Sequence, residues 1–213
     1  MVDTMAAESS SPSLISAAVL AAGSARRMGN EKVLLAIGGQ PLLRRIVREV
    51  VALGLSEILV VANEQNEAVV LAALSDLPVH VRVNRRAAEG MGTSIALAAA
   101  AVAVTSQALL LLQGDQPFVD RGMLRRLIAE WKSGAPSFVA ASYGGVVTTP
   151  VLFARPLLSE LGQLDGDRGA KSILHRHANA GREIVFPIWR GLDVDTPEDY
   201  GRARELWSSV GRS

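Results

Sequence analysis

Short apolar runs at residues 14–20, 57–62, 79–83, 107–112 and 137–141 punctuate the chain, and segments of helical apolar periodicity separate them. Few packings bury every face of such an alternation. The one that does so with short connections is a mostly parallel sheet covered by helices on both sides. The pattern predicts an α/β fold, a single doubly wound, Rossmann-like domain with a mixed, mostly parallel sheet over residues 14–210. A helix with Pro41 at its first position carries Leu42, Leu43, Ile46, Val47, Val50 and Val51 on one face and stops at Gly54. Further helices are expected over 67–74, 93–104 and 121–131. After Tyr143 the rhythm changes, and Gly144-Gly145 followed by Pro150-Val151-Leu152-Phe153 predicts a hairpin or returning strand. A helix over 170–177 and a final strand over 183–188 follow, and Thr196-Pro197-Glu198 opens a terminal helix with proline at its first position. Residues 1–13 are Ser-rich and polar, too poor in apolar surface to offset their ordering entropy, and are expected to be a disordered tail.

Composition removes several function classes. The chain has no cysteine, so disulfides, thiolate metal sites and thiol catalysis are excluded, and a cytoplasmic location is expected. A formal net charge of +1 is too balanced for binding nucleic acid through phosphate neutralisation, so any anionic ligand must be held locally. The first thirteen residues lack the basic and apolar regions of a secretion signal. The apolar stretch at 95–112 is interrupted by Thr105-Ser106-Gln107, which predicts a helix followed by a strand and no membrane span.

In open α/β sheets ligands bind beyond the carboxyl ends of the strands, which singles out Gly23 onward, Asn84 onward and Gly114-Asp115. The first of these is Leu20-Ala21-Ala22-Gly23-Ser24-Ala25-Arg26-Arg27-Met28-Gly29-Asn30-Glu31-Lys32. A strand running into small residues exposes backbone N–H groups that can cradle phosphate oxygens, with Arg27 and Lys32 supplying charge. Lys32 is three residues beyond Gly29, so this is not a Walker A loop, and the dinucleotide fingerprint G-x-G-x-x-G is missing. On pattern alone an ordinary connecting loop with surface bases is an equal reading. The chain has only three lysines, at 32, 132 and 171, among 22 basic residues, and two of them fall in candidate motifs.

Two acidic segments are metal candidates. Asp115 ends the run Ala108-Leu109-Leu110-Leu111-Leu112-Gln113-Gly114, at the tip of a buried strand over the expected crevice. Asp120 suits the cap of the next helix better than Asp115 does. Asp193 and Asp195 alternate in Gly191-Leu192-Asp193-Val194-Asp195-Thr196-Pro197-Glu198, where helix capping is the competing role. Gly90 and Gly92 permit close backbone approach, and Ser94 can offer a hydroxyl to an anion. His175 and His177 are two apart on a helix, which disfavours a shared metal, and Trp131, Trp189 and Trp207 read as packing residues.

Taken together, Leu-Ala-Ala-Gly ahead of Arg27-Met28-Gly29 and Lys32, Gly-Asp-Gln-Pro at 114–117, Gly-Met-x-x-Ser at 90–94, Gly-Asp-x-Gly-Ala-Lys at 166–171 and Asp-x-Asp-Thr-Pro-Glu at 193–198 resemble the MobA-like NTP transferases, in particular molybdenum cofactor cytidylyltransferases. The resemblance implies a nucleotidyltransferase that moves CMP from CTP to the terminal phosphate of molybdopterin and releases pyrophosphate. It implies that Leu20, Ala21, Ala22, Gly23, Ser24, Arg27, Lys32, Asn84, Gly90, Ser94 and Gly114 bind the nucleotide. Arg27, Lys32 and Asp115 would be catalytic, and Asp115 and Asp195 would hold Mg²⁺. Asp167, Gly169 and Lys171 would face the acceptor, and a molybdenum hydroxylase would be the client. Within the family Leu-Ala-Ala-Gly accompanies cytosine and Leu-Ala-Gly-Gly guanine, so Ala22 favours CTP over GTP. Thr148 and Thr149 stand where relatives usually carry Gly and His. The competing readings are a GTP-dependent molybdopterin guanylyltransferase, a sugar-phosphate nucleotidyltransferase and a noncatalytic cofactor chaperone. Retention of Lys32 and Asp115 speaks against the last.

Overall fold

A computed structural model describes residues 14–23, 32 and 34–210. The N-terminal tail expected at residues 1–13, and Ser24 and Arg27 in the first loop, lie outside the described residues. The elements run β1 Ile15–Leu20, β2 Ala36–Ile37, β3 Gln40–Pro41, α1 Leu42–Val51, β4 Glu57–Ala62, α2 Glu67–Ala73, β5 His80–Val83 and α3 Met91–Ala101. They continue with β6 Ala108–Gln113, α4 Arg121–Gly134, β7 Phe138–Tyr143, β8 Val146–Ala154, α5 Leu158–Leu161, α6 Lys171–Arg176, β9 Gly181–Phe186 and α7 Pro197–Val210.

Seven strands form one sheet in the order β5-β4-β1-β6-β8-β7-β9. All neighbours are parallel except β8, which returns after the Gly144-Gly145 turn and inserts antiparallel between β6 and β7. The fold is the expected doubly wound mixed sheet.

Strand alternation decides which helices cover which face. Ala17, Val19, Val60, Leu110 and Leu112 point to the side where α1, α2 and α4 bring Leu43, Ile46, Val47, Val70, Leu124 and Leu127. Ala18, Leu20, Leu59, Val61, Leu109 and Leu111 point to the other side, against Ile95 and Ala98 of α3, Leu161 of α5 and Ile173 of α6. The central strands are buried on both faces, which is why they read as continuous apolar runs. Leu110 is fully buried at the middle of β6. Leu110→Ala is therefore expected to cost about 2–5 kcal/mol of stability by urea denaturation, through lost transfer energy and the cavity left behind. A cost below about 1 kcal/mol would mean that the site collapses around the change.

Several boundaries shift by a few residues from the sequence expectation, α3 among them at Met91–Ala101, and two of the shifts have a clear cause. Pro41 is not the first residue of α1 but its N-cap, with extended backbone (φ −54°, ψ 139°). The cause is a two-strand ribbon: Gly38 and Gly39, at φ 61° and 78°, turn the chain so that Pro41 pairs with Ala36 and the Leu42 N–H donates to the Leu35 carbonyl at 2.9 Å. The last strand begins at Gly181, two residues earlier than its apolar pattern suggests, because pairing with β7 sets its register from Phe138↔Gly181 to Tyr143↔Phe186. It is a half-exposed edge strand, so its pattern carries little burial information.

A smaller cluster ties the C-terminal segment to the start of α1. Ile37, Leu42, Phe118, Val194 and Ala203 are buried together, with Trp189 and Trp207 packed against them. The Arg45 guanidinium lies 3.7 Å over the Trp207 ring. Among the described residues no helix is long and apolar enough to cross a membrane.

Candidate active site

β1 and β6 are neighbours whose final register pair is Leu20 with Gln113. From β1 the chain steps outward on one side to β4 and β5, then returns to β6 on the other side. This reversal opens a crevice at the carboxyl ends of β1 and β6. Gly114 closes its floor: its N–H donates to the Leu20 carbonyl at 2.8 Å, and a Cβ there would come within 3.0 Å of Leu43 and 3.2 Å of the Leu20 oxygen. The absence of a side chain lets β6 end against β1 and deliver Asp115 to the crevice.

A cleft of about 240 Å³ occupies this position. Its walls include Leu20, Ala21, Ala22 and Gly23 from the end of β1, Gly114 and Asp115 from the end of β6, Gly90 and Ser94 from the start of α3, and Lys32 and Asp167. Among the described residues, the expected nucleotide-binding residues, with Lys32, Asp115 and Asp167, thus meet in one cavity. Asn84 is the exception. It is buried, its amide donates to Thr93 Oγ1 and Ser94 Oγ at 2.8 Å each, and its Oδ1 accepts the Arg86 N–H at 2.9 Å. It holds the start of α3 and does not line the cleft.

The charged centre is built by three segments distant in sequence. The Lys32 ammonium donates to Asp115 Oδ2 at 2.8 Å and to Asp195 Oδ1 at 2.7 Å. Burial works against the ammonium, yet the adjacent Asp115 and Asp195 carboxylates outweigh it and hold its pKa above the usual lysine value. Asp195 reaches the crevice because its neighbour Val194 is fully buried and donates its N–H to the Asp115 carbonyl at 3.1 Å. The next residue, Thr196, starts α7 by exchanging hydrogen bonds with Asp199, its Oγ1 accepting the Asp199 N–H at 3.1 Å. Asp193 lies on the inner side. Burial, followed by the Asp115 and Asp195 charges, pushes its carboxyl up to about 6.

This donor set suits a divalent cation. Asp115 Oδ1 is buried without a hydrogen-bond partner among the described residues, and so is Asp193 Oδ1. Asp115 and Asp195 already converge on one cationic atom. Among the described residues no set of three or more His, Asp or Glu side chains gathers into a protein-only metal cage. Two carboxylates supplemented by phosphate oxygens and water is the arrangement Mg²⁺ tolerates best.

A second cleft, of about 300 Å³, adjoins the first and shares Leu20, Met91 and Gln113 with it. Its walls are mostly apolar, from Ile95, Leu111, Val147, Val151 and Leu174, with Gly169 and Lys171 at one side and Thr148 and Thr149 at another. The segment 165–171 spans both cavities. A clasp ties it to the start of α3 and the loop before it: the Gly92 N–H donates to the Gly166 carbonyl at 2.8 Å, and Arg86 bridges Glu89 at 2.6 Å and Asp165 at 2.8 Å. A Cβ on Gly92 would stand 2.7 Å from the Arg168 oxygen.

Other expectations resolve simply. Asp120 caps α4, accepting the Met123 N–H at 2.9 Å. His177 pairs with Glu160 at 2.7 Å. Asn63, Asn66, Met91 and Gln113 were not anticipated. The rule that picked Gly23 and Asn84 also reaches Asn63-Glu64-Gln65-Asn66, directly after the run at 57–62.

Comparisons with known proteins agree with this geometry. The MobA-like NTP transferase domain matches residues 17–180. The bifunctional protein GlmU of Leifsonia xyli subsp. xyli is 32% identical over 187 residues, covering 83% of this chain but 35% of GlmU, so the chain spans about a third of that relative. The purine catabolism protein PucB of Bacillus subtilis is 28% identical, with 89% of this chain and 95% of PucB covered. The molybdenum cofactor guanylyltransferase of Rhodobacter capsulatus is also 28% identical, covering 90% of this chain and 95% of that protein. Among solved structures, Rv0371c of Mycobacterium tuberculosis H37Rv superposes with a TM-score of 0.78 at 30% identity, covering 92% of this chain and all of that one. Rv0371c has also been solved in complex with manganese, with a TM-score of 0.75 at 29% identity and the same coverage.

Proposed function

Because the chain belongs to the MobA-like NTP transferase family and is a nucleotidyltransferase, we propose that it transfers CMP from CTP to the terminal phosphate of molybdopterin and releases pyrophosphate. The observation that carries this reading is that Lys32 and Asp115 line a cleft walled by Ala21, Ala22 and Gly23, and that Lys32 there also pairs with Asp195.

A terminal phosphate oxygen of the acceptor attacks the α-phosphorus of CTP. A new P–O bond forms there while the bond to the β-phosphate oxygen breaks, and pyrophosphate leaves with that electron pair. The backbone from Leu20 to Ser24, with Gly90, Ser94 and Gly114, holds the nucleotide, and Asn84 supports Ser94 from behind. Lys32 and Arg27 hold the β- and γ-phosphates and stabilise the charge that builds on the departing pyrophosphate. Mg²⁺, held by Asp115 and Asp195, would offset the repulsion between acceptor phosphate and triphosphate.

The second cleft is the proposed acceptor pocket. Its apolar walls suit a flat heterocycle, and Lys171 with the backbone at Gly169 suits an anionic group on it. Asp167, on the nucleotide side, would accept hydrogen bonds from acceptor N–H groups. Thr148 and Thr149, where relatives usually carry Gly and His, fall in the wall of this pocket, so the departure bears on acceptor shape and not on the phosphates.

Reaction with α-phosphate-labelled CTP, Mg²⁺ and molybdopterin, followed by mass spectrometry, tests the assignment. A cytidine dinucleotide of the pterin is expected, and label retained entirely in CTP and CMP would refute it. One specific observation favours a second reading: the Rhodobacter relative is a guanylyltransferase. A guanine dinucleotide formed from GTP in the parallel reaction would select it.

Gly92→Ala offers a sharper check on the pocket. Alanine improves the intrinsic helix propensity at the start of α3 by up to about 1 kcal/mol, so the fold is expected to persist. The new methyl group would push 165–168 away, so the molybdopterin KM is expected to rise by roughly 10-fold, the order of effect of a small misplacement at a site. An unchanged KM for molybdopterin would detach this clasp from acceptor binding.

A further inference from the structure

Asn63 and Asn66 are buried polar side chains that the proposed chemistry does not use. Each caps the other's backbone: the Asn63 N–H donates to Asn66 Oδ1, and the Asn66 N–H to Asn63 Oδ1, both at 2.9 Å. Their amide nitrogens point the same way, toward the loop that leaves β1. Asn66 Nδ2 donates to the Ala21 carbonyl at 2.8 Å, and Asn63 Nδ2 donates to the Ala22 carbonyl at 3.1 Å. The Ala21 N–H is spent on the Val61 carbonyl at 2.8 Å.

Two consecutive carbonyls facing one asparagine pair is not the strand pattern, in which successive carbonyls alternate. In a trans peptide the N–H points opposite to the C=O of the same plane. With the Ala21 and Ala22 carbonyls both turned toward the asparagines, the N–H groups of Ala22 and Gly23 both turn away from them. Those two residues line the first cleft, and neither N–H has an acceptor among the described residues. The result is a pair of adjacent donors held in place by a buried, mutually capped side-chain network.

We infer that Asn63 and Asn66 are positioning residues for base selection: they aim the Ala22 and Gly23 N–H groups so that the cleft accepts a base edge with two neighbouring acceptors, as the O2/N3 edge of cytosine has. Uracil carries N3–H in that place and would set a donor against a donor. The Watson–Crick edge of guanine offers one acceptor, O6, beside two donors, and that of adenine one acceptor beside an amino group; guanine presents two neighbouring acceptors only on its O6/N7 edge, so the GTP arm of the binding test separates that edge from the cytosine edge. The inference rests on the proposed nucleotide site and adds to it the residues that enforce the choice.

The test is equilibrium binding of CTP, UTP, GTP and ATP to the full chain with Mg²⁺ by calorimetry, for the natural protein and for Asn63→Asp and Asn66→Asp. The natural chain is expected to favour CTP over UTP by roughly 10-fold or more, the scale of a two-bond base contact. In either variant a carboxylate acceptor replaces the amide donor against a carbonyl. The CTP:UTP ratio is expected to fall toward one, while a purely structural role would weaken all four nucleotides alike. A retained ratio in both folded variants overturns the inference and leaves the proposed reaction standing. Absence of a CTP preference in the natural chain overturns both. Should the variants fail to fold, 3-deaza-CTP, which replaces the N3 acceptor by C–H, makes the same test on the natural chain. Binding weakened by roughly 10-fold is expected, and binding equal to that of CTP would overturn the inference.

Discussion

Asp115→Asn is expected to lower turnover by about 10²-fold or more, the usual consequence of removing a stabiliser of charge that develops in the transition state. Among the described residues Asp115 is the one carboxylate that touches Lys32, keeps an unpartnered buried oxygen and sits at the switch point of the sheet. Asparagine keeps its shape and leaves its backbone carbonyl free to accept the Val194 N–H, so Asp195 stays beside the crevice. What is lost is negative charge at the place where the proposed reaction holds phosphates and a divalent cation together. The fold should survive by circular dichroism, the loss should fall on kcat, and near-normal turnover would remove Asp115 from the chemistry.

Lys32→Met carries the second large effect. The ammonium makes two charge-assisted contacts, each worth about 1.5–3 kcal/mol when it can be neither replaced nor hydrated. On the proposed reaction one or both are exchanged for phosphate oxygens. Turnover is expected to drop by roughly 10- to 100-fold, on the scale of one such contact, together with weaker binding of CTP. Arginine should rescue poorly, because a planar fork cannot take the place of a compact ammonium wedged between Asp115 and Asp195. Full activity in Lys32→Arg would mean that only charge, and not the reach of a single nitrogen, is required.

The sequence made the sheet legible because β1, β4 and β6 are buried on both faces and so appear as uninterrupted apolar runs. It made β9 less legible, because an edge strand with exposed Arg182, Glu183 and Val185 has no clear pattern, and only its pairing with β7 fixes where it begins. Pro41 illustrates a local rule overruled by a neighbour: its fixed φ suits a first helical residue, yet the Gly38-Gly39 turn claims it for a strand pair. In the site, Asp115 could be located by its position after an apolar run. Asp195 could be tied to it only by the resemblance, since the tie is made through the burial of Val194 between Asp193 and Asp195. Asn84 was placed correctly on its loop, but nothing in the residue type tells an inward-facing amide from a ligand-facing one. Asn63 and Asn66 stand in an unremarkable turn, and their action on Ala21 and Ala22 is a contact across more than forty residues that no local pattern records.

In the proposed reaction the crevice between β1 and β6 carries out cytidylyl transfer to a pterin phosphate. Pyrophosphate release, measured with Mg²⁺ and each of CTP, GTP, ATP and UTP, with and without molybdopterin, tests it most directly. Release with CTP only when molybdopterin is present, abolished in Asp115→Asn, is the predicted result. Pyrophosphate released with another nucleotide in preference to CTP, or no release from any pairing despite measurable CTP binding, would contradict it.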